Sequence, residues 1–355
     1  MKIYSKDELF NISIKTPSKQ LEDIVKSNID HIAKPLDSFG KFETILSKLG
    51  GIYGETSLDG ILKGQLVIMC GDNGVVSEGV TQSDKDVTRQ VALSMGRHES
   101  SVCILAREAG LDIRVIDIGI DCDENLAGVE NFKVRKGTRN LTKEAALTEA
   151  ETLKALSAGI EIASQAKADG NGVLLTGEMG IGNTTTSAII IASLLGLEAK
   201  AVTGRGAGLD SIRLLKKQEI IAQAIERLKG ADALTLLGSV GGLDIAGLAG
   251  LCIGAAINQI PVILDGVIAM AAALVADRLL PGVADYTFAS HIGREPAMAG
   301  AVKELKLLPV IDASMAVGEG TGAVMMYELL RMSYMVYRDA ASFGRIEVDE
   351  YSRMK

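Results

Sequence analysis

Residues 172–195 read GVLLTGEMGIGNTTTSAIIIASLL, and the predicted fold depends first on this stretch. A short apolar run leads into a turn that contains Gly177, Gly180 and Gly182, and a longer apolar run follows the turn. The pattern predicts a buried strand, a tight turn and a helix. Because glycine has no side chain, such a turn allows the backbone to approach a ligand closely.

The same succession of a short apolar run and a glycine-rich or polar cluster recurs along the chain. Continuous apolar runs separated by helix-like segments are typical of strands that are covered on both faces. They predict an α/β fold with a doubly wound, mostly parallel, Rossmann-like sheet. Since ligands of such sheets bind outside the carboxyl ends of the strands, we expect eight loops to converge at one edge. The runs are residues 65–74, 113–119, 172–183, 200–208, 233–242, 260–266, 286–291 and 307–314.

The two ends of the chain have a different texture from the middle. Residues 1–60 are polar and helix-like, with apolar positions at helical spacing. An apolar helical pattern at residues 322–343 predicts a last helix that packs beside the N-terminal helices. We therefore expect a small helical domain from residues 1–60 and about 325–355, and a large α/β catalytic domain from residues 61–324.

Composition excludes several classes of function. The net charge is −8, and no lysine- and arginine-rich cluster suggests nucleic-acid binding. The N-terminus lacks the apolar core of a signal peptide, and the longest apolar run, residues 260–276, is shorter than the ~20 residues of a spanning helix. Four scattered cysteines favour a reduced, cytoplasmic protein. Three histidines without ligand spacing predict no metal site, and we expect no cofactor.

Two glycine-rich loops are candidates for phosphate binding. Asn183 and Thr184 begin a predicted helix after Gly180 and Gly182, and a helix N-terminus attracts anions. An ordinary helix cap is the alternative, but Glu178 in the same turn has no use in a cap. The second loop contains Gly204 and Gly206, and the following segment carries Lys216 and Lys217, one of which could reach a phosphate.

A single carboxylate marks a third candidate site. Residues 314–326 read SMAVGEGTGAVMM, in which Glu319 lies among Gly318, Gly320 and Gly322. Burial would raise the pKa of this carboxyl group toward the range of a general base, and the glycines would admit a flat substrate. A cap for the helix that starts near Gly322 is an equally good interpretation of the spacing.

Further polar clusters follow other predicted strands. Asp72 and Asn73 follow the first strand, where they either contact a ligand or form a turn. His291 and Glu295 occur in FASHIGREPAM. The chain has neither a Walker loop nor a GxSxG nucleophile elbow.

Together these stretches resemble the nicotinate-nucleotide–dimethylbenzimidazole phosphoribosyltransferase family, which activates the lower ligand of cobamides. GEMGIGNTT is the most specific part of the resemblance, which covers nearly the whole chain. GRGAGLD…KK, GG-DIAG-AG, IPVILDG and VGEGTGA occur in the family's order, and PLDSFGKFE resembles its N-terminal segment.

The resemblance implies phosphoribosyl transfer from nicotinate mononucleotide to an aromatic base such as 5,6-dimethylbenzimidazole. It implies that Glu319 is the general base and that Glu178 is a second catalytic carboxylate beside it. Attack opposite nicotinate would invert C1′ and give the α-nucleotide. Gly180 and the loop of Gly204 and Gly206 would hold the 5′-phosphate, with Lys217 paired to it. The implied base pocket comprises Asp72, Asn73, Thr81, Gln90 and Gly320.

Several positions depart from the family pattern and leave the acceptor open. Asn73 replaces a common histidine, and TQSDKDVTRQ at residues 81–90 replaces a turn with an aromatic residue and proline. We expect these two departures to line the base pocket, so an acceptor such as phenol or p-cresol, activated by a pair of related subunits, is an alternative. Further departures are Gly293, Met298, Ala316 and Val317.

Two other classes of function compete with this reading. A non-catalytic nucleotide-binding partner subunit is disfavoured by the intact Glu319 and GEMGIGNTT. A dinucleotide-dependent oxidoreductase is disfavoured because no GxGxxG follows the first strand. We expect a homodimer, or a heterodimer with a related subunit, formed through apolar helices of the large domain.

Overall fold

A six-stranded sheet lies at the centre of the molecule. The computed structural model describes residues 1–84, 86–206 and 208–352, so Lys85 and Ala207 of the two predicted loops lie outside the described residues. All strand pairs identified in this sheet are parallel. The strands are β1 (Gly64–Gly71), β2 (Asp112–Gly119), β3 (Glu130–Asn131), β4 (Val173–Met179), β5 (Val262–Leu264) and β6 (Thr287–Ala289).

The strand order is β3-β2-β1-β4-β5-β6. This is the order of a doubly wound Rossmann-like sheet, so the predicted fold class is confirmed. β1 pairs with β2 on one side and with β4 on the other, with Gln65 opposite Asp112 and Leu174. The direction of winding therefore reverses between β1 and β4, and the crevice at such a reversal is the usual place for a ligand.

Helices account for most of the remaining chain. The α-helices are α1 (Lys6–Phe10), α2 (Lys19–Asp30), α3 (Lys41–Tyr53), α4 (Asp86–Gly96), α5 (Ser101–Glu108), α6 (Glu149–Ala168), α7 (Asn183–Leu195), α8 (Ala199–Val202), α9 (Ser211–Arg227), α10 (Ala233–Val240), α11 (Leu243–Ile257), α12 (Val267–Leu279), α13 (Ala297–Glu304) and α14 (Thr321–Asp339). Short 3-10 helices occur at Asp59–Leu62, Gly74–Glu78, Val283–Tyr286 and Gly344–Ile346.

Helices cover both faces of the sheet. Met69 of β1 lies against Gly247 of α11, whereas Leu66 lies against Gly320, which precedes α14. Residues an odd number of positions apart on a strand point to opposite faces, so α11 and α14 lie on opposite sides. α4 and α5 pack on the sheet with α14, and α6 packs over α11. Because β1 is buried along its whole length, its continuous apolar sequence is explained.

Three of the eight predicted strands are wrong. Residues 200–208 begin in α8, residues 233–242 form α10, and residues 307–314 contribute only a single bridge from Ile311 to His291. The start of α10 is fixed by Asp232, whose side chain accepts a hydrogen bond from the Thr235 N–H at 2.9 Å. A buried helix is apolar on every side, so a short run cannot be distinguished from a buried strand by pattern alone. Eight strand loops therefore do not converge, and the polar two-residue β3 was not predicted.

The end of the chain packs against the N-terminal helices, as expected. The Tyr334 hydroxyl donates to Asp59 at 2.5 Å, and the Tyr337 hydroxyl donates to the Thr56 carbonyl at 3.1 Å. The Ala33 N–H also donates to the Ala341 carbonyl at 2.9 Å. The division into two domains stays a prediction. Within the described ranges, no helix is both long enough and apolar enough to cross a membrane.

Candidate active site

A cavity of about 210 Å³ opens over the carboxyl ends of β4, β5 and β6. Its walls come from the turn between β4 and α7, the loops after β5 and β6, and the segment before α14. With Gly206, from the loop between α8 and α9, residues of five separate chain segments meet at one place. The lining residues include Glu178, Gly180, Asn183, Thr184, Gly206, Asp265, Ile268, His291, Gly293, Arg294, Glu295, Met298, Met315, Ala316, Val317, Gly318 and Glu319.

Glu319 is held in the cavity by an unusual backbone conformation. Its φ is 64°, between Gly318 at 79° and Gly320 at 105°. The left-handed region is costly for a residue with a side chain, and such strain concentrates at functional sites. The Glu319 Oε2 atom has no hydrogen-bond partner among the described residues. Burial, and secondarily the charge of Asp265, raises the pKa of the Glu319 carboxyl group.

Asp265, not Glu319, caps the last helix. Its carboxylate accepts hydrogen bonds from the N–H groups of Gly320 at 3.0 Å, Gly322 at 2.8 Å and Ala323 at 3.2 Å. These are the unpaired donors at the start of α14, and a carboxylate is favoured there. The alternative that Glu319 is the helix cap is therefore wrong, because Asp265, from the loop after β5, caps α14.

Glu178 belongs to a hydrogen-bonded chain of polar side chains. The Asn183 Nδ2 group donates to Glu178 Oε2 and also to Asp244 Oδ2, the latter at 2.9 Å. The Glu319 N–H faces the Glu178 carboxylate and favours its ionised form. Burial, followed by the charge of Asp244, raises the pKa of Glu178 to about 8. Glu178 is therefore mostly protonated at neutral pH.

The two predicted phosphate loops lie together. α7 begins after Gly182, whose φ is 93°, without a side-chain cap. The Asn183 and Thr185 N–H groups donate to the carbonyls of Gly180 and Gly182, both at 3.0 Å, so the preference of this helix start for an anion rests mainly on the helix dipole. Lys217 of α9 is fully buried, and its Nζ donates to Thr184 Oγ1 at 2.9 Å and to the Gly204 carbonyl at 3.2 Å. Burial lowers the pKa of Lys217, whereas the Glu295 charge acts in the opposite direction.

The side chain of Glu295 lies against the second loop, which contains Gly204 and Gly206. Its Oε1 accepts a hydrogen bond from the Gly206 N–H at 3.0 Å. A β carbon at Gly204 would lie 2.1 Å from Glu295 Oε2, so this position must be glycine for the carboxylate to fit. The GRG loop therefore binds an anionic group in this structure, and that group is a side chain of the protein.

All five residues predicted for the base pocket lie outside the cavity wall. Asn73 is buried and donates to the Ile181 carbonyl at 3.3 Å, while Asp72 accepts from the Asp121 N–H at 2.8 Å. Thr81 lies in a turn, and the exposed Gln90 donates to Asp86 at 2.5 Å. Gly320 stands behind Glu319, as the cap of α14.

The departures that do line the cavity are the other four: Gly293, Met298, Ala316 and Val317. The Met298 sulfur accepts a hydrogen bond from the Gly293 N–H at 3.0 Å. Together with Ile268 and Met315 they give the cavity an apolar wall. The sequence contained a signal for them, since each departs from the family pattern. Sequence reasoning assigned no role to Asp244 or Asp265, although both lie in quoted motifs.

The sheet order defines an α/β protein of the Rossmann-like class, and its cavity combines an uncapped helix start beside a buried lysine with two partly buried carboxyl groups. A family model described as Phosphoribosyltransferase matches residues 14–348. This match, and 39% identity to a nicotinate-nucleotide–dimethylbenzimidazole phosphoribosyltransferase, show that the chain belongs to that enzyme's family.

Relatives support this assignment over almost the whole chain. The nicotinate-nucleotide–dimethylbenzimidazole phosphoribosyltransferase of Clostridium acetobutylicum is 39% identical and covers 93% of this chain and 94% of its own. That of Acetivibrio thermocellus is 40% identical over 94% and 95%. The crystal structure of the Thermus thermophilus enzyme superposes with a TM-score of 0.87 at 34% identity, covering 94% of this chain and all of that one. The predicted resemblance is confirmed.

Proposed function

We propose that this protein transfers phosphoribose from nicotinate mononucleotide to 5,6-dimethylbenzimidazole and releases nicotinate. The observation that carries the proposal is Glu319, whose Oε2 atom has no hydrogen-bond partner among the described residues and which shares one cavity with the uncapped start of α7. A base and an anion site in one cavity are what a phosphorylated donor and a protic acceptor require. The names of the relatives supply the two substrates.

The donor's phosphate binds at the start of α7, next to Lys217. The helix dipole favours negative charge there, and the buried ammonium adds a point charge. Since Lys217 already donates to Thr184 and to Gly204, its position is fixed before the donor arrives. Holding the donor in this way means that binding free energy, rather than the chemical step, offsets the entropy lost when the two substrates are brought together.

The reaction exchanges one bond at C1′ for another. The bond from C1′ to the nicotinate nitrogen breaks, and its electron pair returns to the ring, which loses its positive charge. A nitrogen lone pair of the acceptor forms the new bond from the opposite face, giving the α-nucleotide. Glu319 takes the proton from the acceptor's second nitrogen, so that the product is neutral at the base.

Glu178 complements Glu319 because its proton is retained at neutral pH. A pKa of about 8 makes it a hydrogen-bond donor at pH 7, whereas Glu319 serves as the ionised base. Two ionised carboxylates in one apolar cavity would repel each other. The nearby negative charges of Glu319 and Asp265 also favour positive charge at C1′ as nicotinate departs.

The apolar wall supports a flat aromatic acceptor. Ile268, Met298, Met315 and Val317 offer apolar surface and polarisable sulfur to a ring. The described residues of the polar loop 81–90 lie outside that wall, so the observation that favoured phenol or p-cresol has no support in the cavity. Equimolar competition between dimethylbenzimidazole and p-cresol should yield mainly the benzimidazole riboside phosphate; a predominant phenolic product would reverse this assignment.

Nicotinate release tests the proposal directly. The purified chain, alone, should release nicotinate from nicotinate mononucleotide only when an acceptor is present, and the product should be the α-riboside 5′-phosphate by NMR. Glu319→Gln is the matched control, because it keeps the shape but cannot accept the proton. No release with any benzimidazole, purine or phenol would leave the non-catalytic partner subunit as the better interpretation.

We also propose that the protein works as a dimer. Exposed apolar side chains follow one face of α14, at Met325, Leu329 and Met332, and α9 exposes Ile212 and Leu215. Such faces mark association surfaces when they are contiguous. Sedimentation of the active protein distinguishes a homodimer from a monomer, and a monomer that stays fully active at assay concentration would refute the proposal.

A further inference from the structure

Asp244 is fully buried, and the side chain of Asn183 lies between its carboxyl group and that of Glu178. It belongs to the first turn of α11, where the Ile245 N–H supports its charge. Asn183 Nδ2 donates to Asp244 Oδ2 at 2.9 Å and also to Glu178 Oε2. One amide group therefore bridges two carboxyl groups from different elements.

The bridge fixes the orientation of the Asn183 amide. A flip of the amide would turn its oxygen toward two carboxyl groups and lose both hydrogen bonds. With the amide fixed, the Glu178 carboxyl group is held where it enters the cavity. We propose that Asp244 is a positioning residue, which fixes the Asn183 amide and through it the Glu178 carboxyl group. A negative charge on Asp244 also favours the protonated form of Glu178.

Glycines make room for Asp244 on two sides. A β carbon at Gly242 would lie 2.1 Å from Asp244 Oδ1, and one at Gly180 would lie 2.5 Å from Oδ2. Any larger residue would push the carboxyl group away from Asn183. The glycines of GEMGIGN and of GGLDIAG thus serve one buried acid, which neither motif reveals alone.

The groups that face Glu178 come from five places. They are Asp244 on α11, Asp265 after β5, the Glu319 N–H before α14, Asn183 on α7 and Cys70 on β1. After burial, Asp244 is the largest influence, and its charge raises the pKa of Glu178, whereas Asn183 lowers it. Asp265 has a smaller effect, and three N–H groups of α14 already bind it.

Asp244 itself remains the more acidic of the two. Burial raises its pKa to about 6, compared with about 8 for Glu178. At pH 7 the charge therefore lies mainly on Asp244 and the proton on Glu178. Removing the charge of Asp244 should let Glu178 ionise at lower pH.

The test uses Asp244→Asn, which keeps the shape and an oxygen that can accept from Asn183. In the ligand-free protein, the Glu178 carboxyl is followed by ¹³C NMR and assigned by comparison with Glu178→Gln. We expect its titration to move down by about one pH unit. Asn183→Ala should move it upward, because the hydrogen bond that favours the ionised form is lost. This measurement needs no turnover, so it can fail or succeed independently of the proposed function.

The kinetic counterpart rests on the proposed function. In the plot of kcat/KM against pH, the alkaline limb should move to lower pH by about one unit in Asp244→Asn. The acidic limb, which reports Glu319, should change little. In a Glu178→Gln background, Asp244→Asn should move no limb. If Asp244→Asn lowers the rate equally at every pH and leaves the Glu178 titration unchanged, Asp244 is only a structural residue and the proposal is wrong. If Asp244→Asn does not fold, Asn183→Ala provides the test. An unchanged Glu178 titration in that variant would refute the proposal that Asn183 links Glu178 to Asp244.

Discussion

Glu319 and Glu178 are the same kind of residue in the same cavity, yet their surroundings differ. Glu319 stands on a left-handed backbone with one oxygen unpartnered among the described residues, whereas Glu178 ends a regular strand and is bound by Asn183. The first arrangement leaves a base available to a substrate. The second holds a proton in a defined place. Environment rather than residue type therefore separates their roles.

The largest expected effect is at the base. Glu319→Gln should lower kcat by about 10²- to 10⁴-fold, because general-base removal typically costs that much. Glu178→Gln, measured at pH 6.5 beside it, should lower kcat much less, since glutamine also donates a hydrogen bond. Nicotinate release measures both variants. Equal losses in the two, or near wild-type turnover in Glu319→Gln, would remove the distinction between them.

The second effect concerns the donor alone. Lys217→Ala should raise KM for nicotinate mononucleotide by about 10- to 100-fold, since a charged hydrogen bond contributes about 1.5–3 kcal/mol. KM for the acceptor should change little. Lys216→Ala, one position along the same helix and solvent-exposed, is the matched control. A larger change for the acceptor than for the donor would place the phosphate elsewhere.

The pH profile sharpens the comparison between the two carboxyl groups. Because its raised pKa is about 8, Glu178 is protonated below pH 8 and loses its proton as pH rises through that value. Activity should therefore fall on the alkaline side with a midpoint near 8. It should rise on the acidic side as Glu319 ionises, above the usual range of a glutamate. Glu178→Gln should abolish the alkaline limb, and a limb that persists in this variant belongs to another group.

The smallest effect is on stability. Glu319→Gly should stabilise the protein by about 1 kcal/mol, because glycine tolerates positive φ and a partly buried carboxylate is removed. Glu178→Gly, on a strand with ordinary backbone angles, should destabilise it. Urea denaturation of both variants measures the change in the free energy of unfolding, which should increase in Glu319→Gly and decrease in Glu178→Gly. A loss of stability in Glu319→Gly would mean that its backbone is not strained.

Much of this site was predictable from the sequence because its glycines and acids are local features. GEMGIGNTT predicted a strand, a turn and the start of a helix in the right place, and VGEGTGA predicted an isolated acid. The strand errors had a physical cause, since α10 and a buried strand present the same apolar run. The expected place of the acceptor pocket was tied to loop 81–90, whereas the cavity wall contains Met298, Ala316 and Val317.

The sequence alone therefore determined the fold class, the family and the main acidic and glycine-rich elements, because each depends on residues close together in the chain. Only the tertiary structure showed which groups each acid contacts. Asp265 caps α14 from 55 residues away, and Asn183, which donates to Glu178, also donates to Asp244, 61 residues further along the chain. Such pairings, and the burial that shifts a pKa, arise from packing between distant elements, and no local pattern in the chain records them.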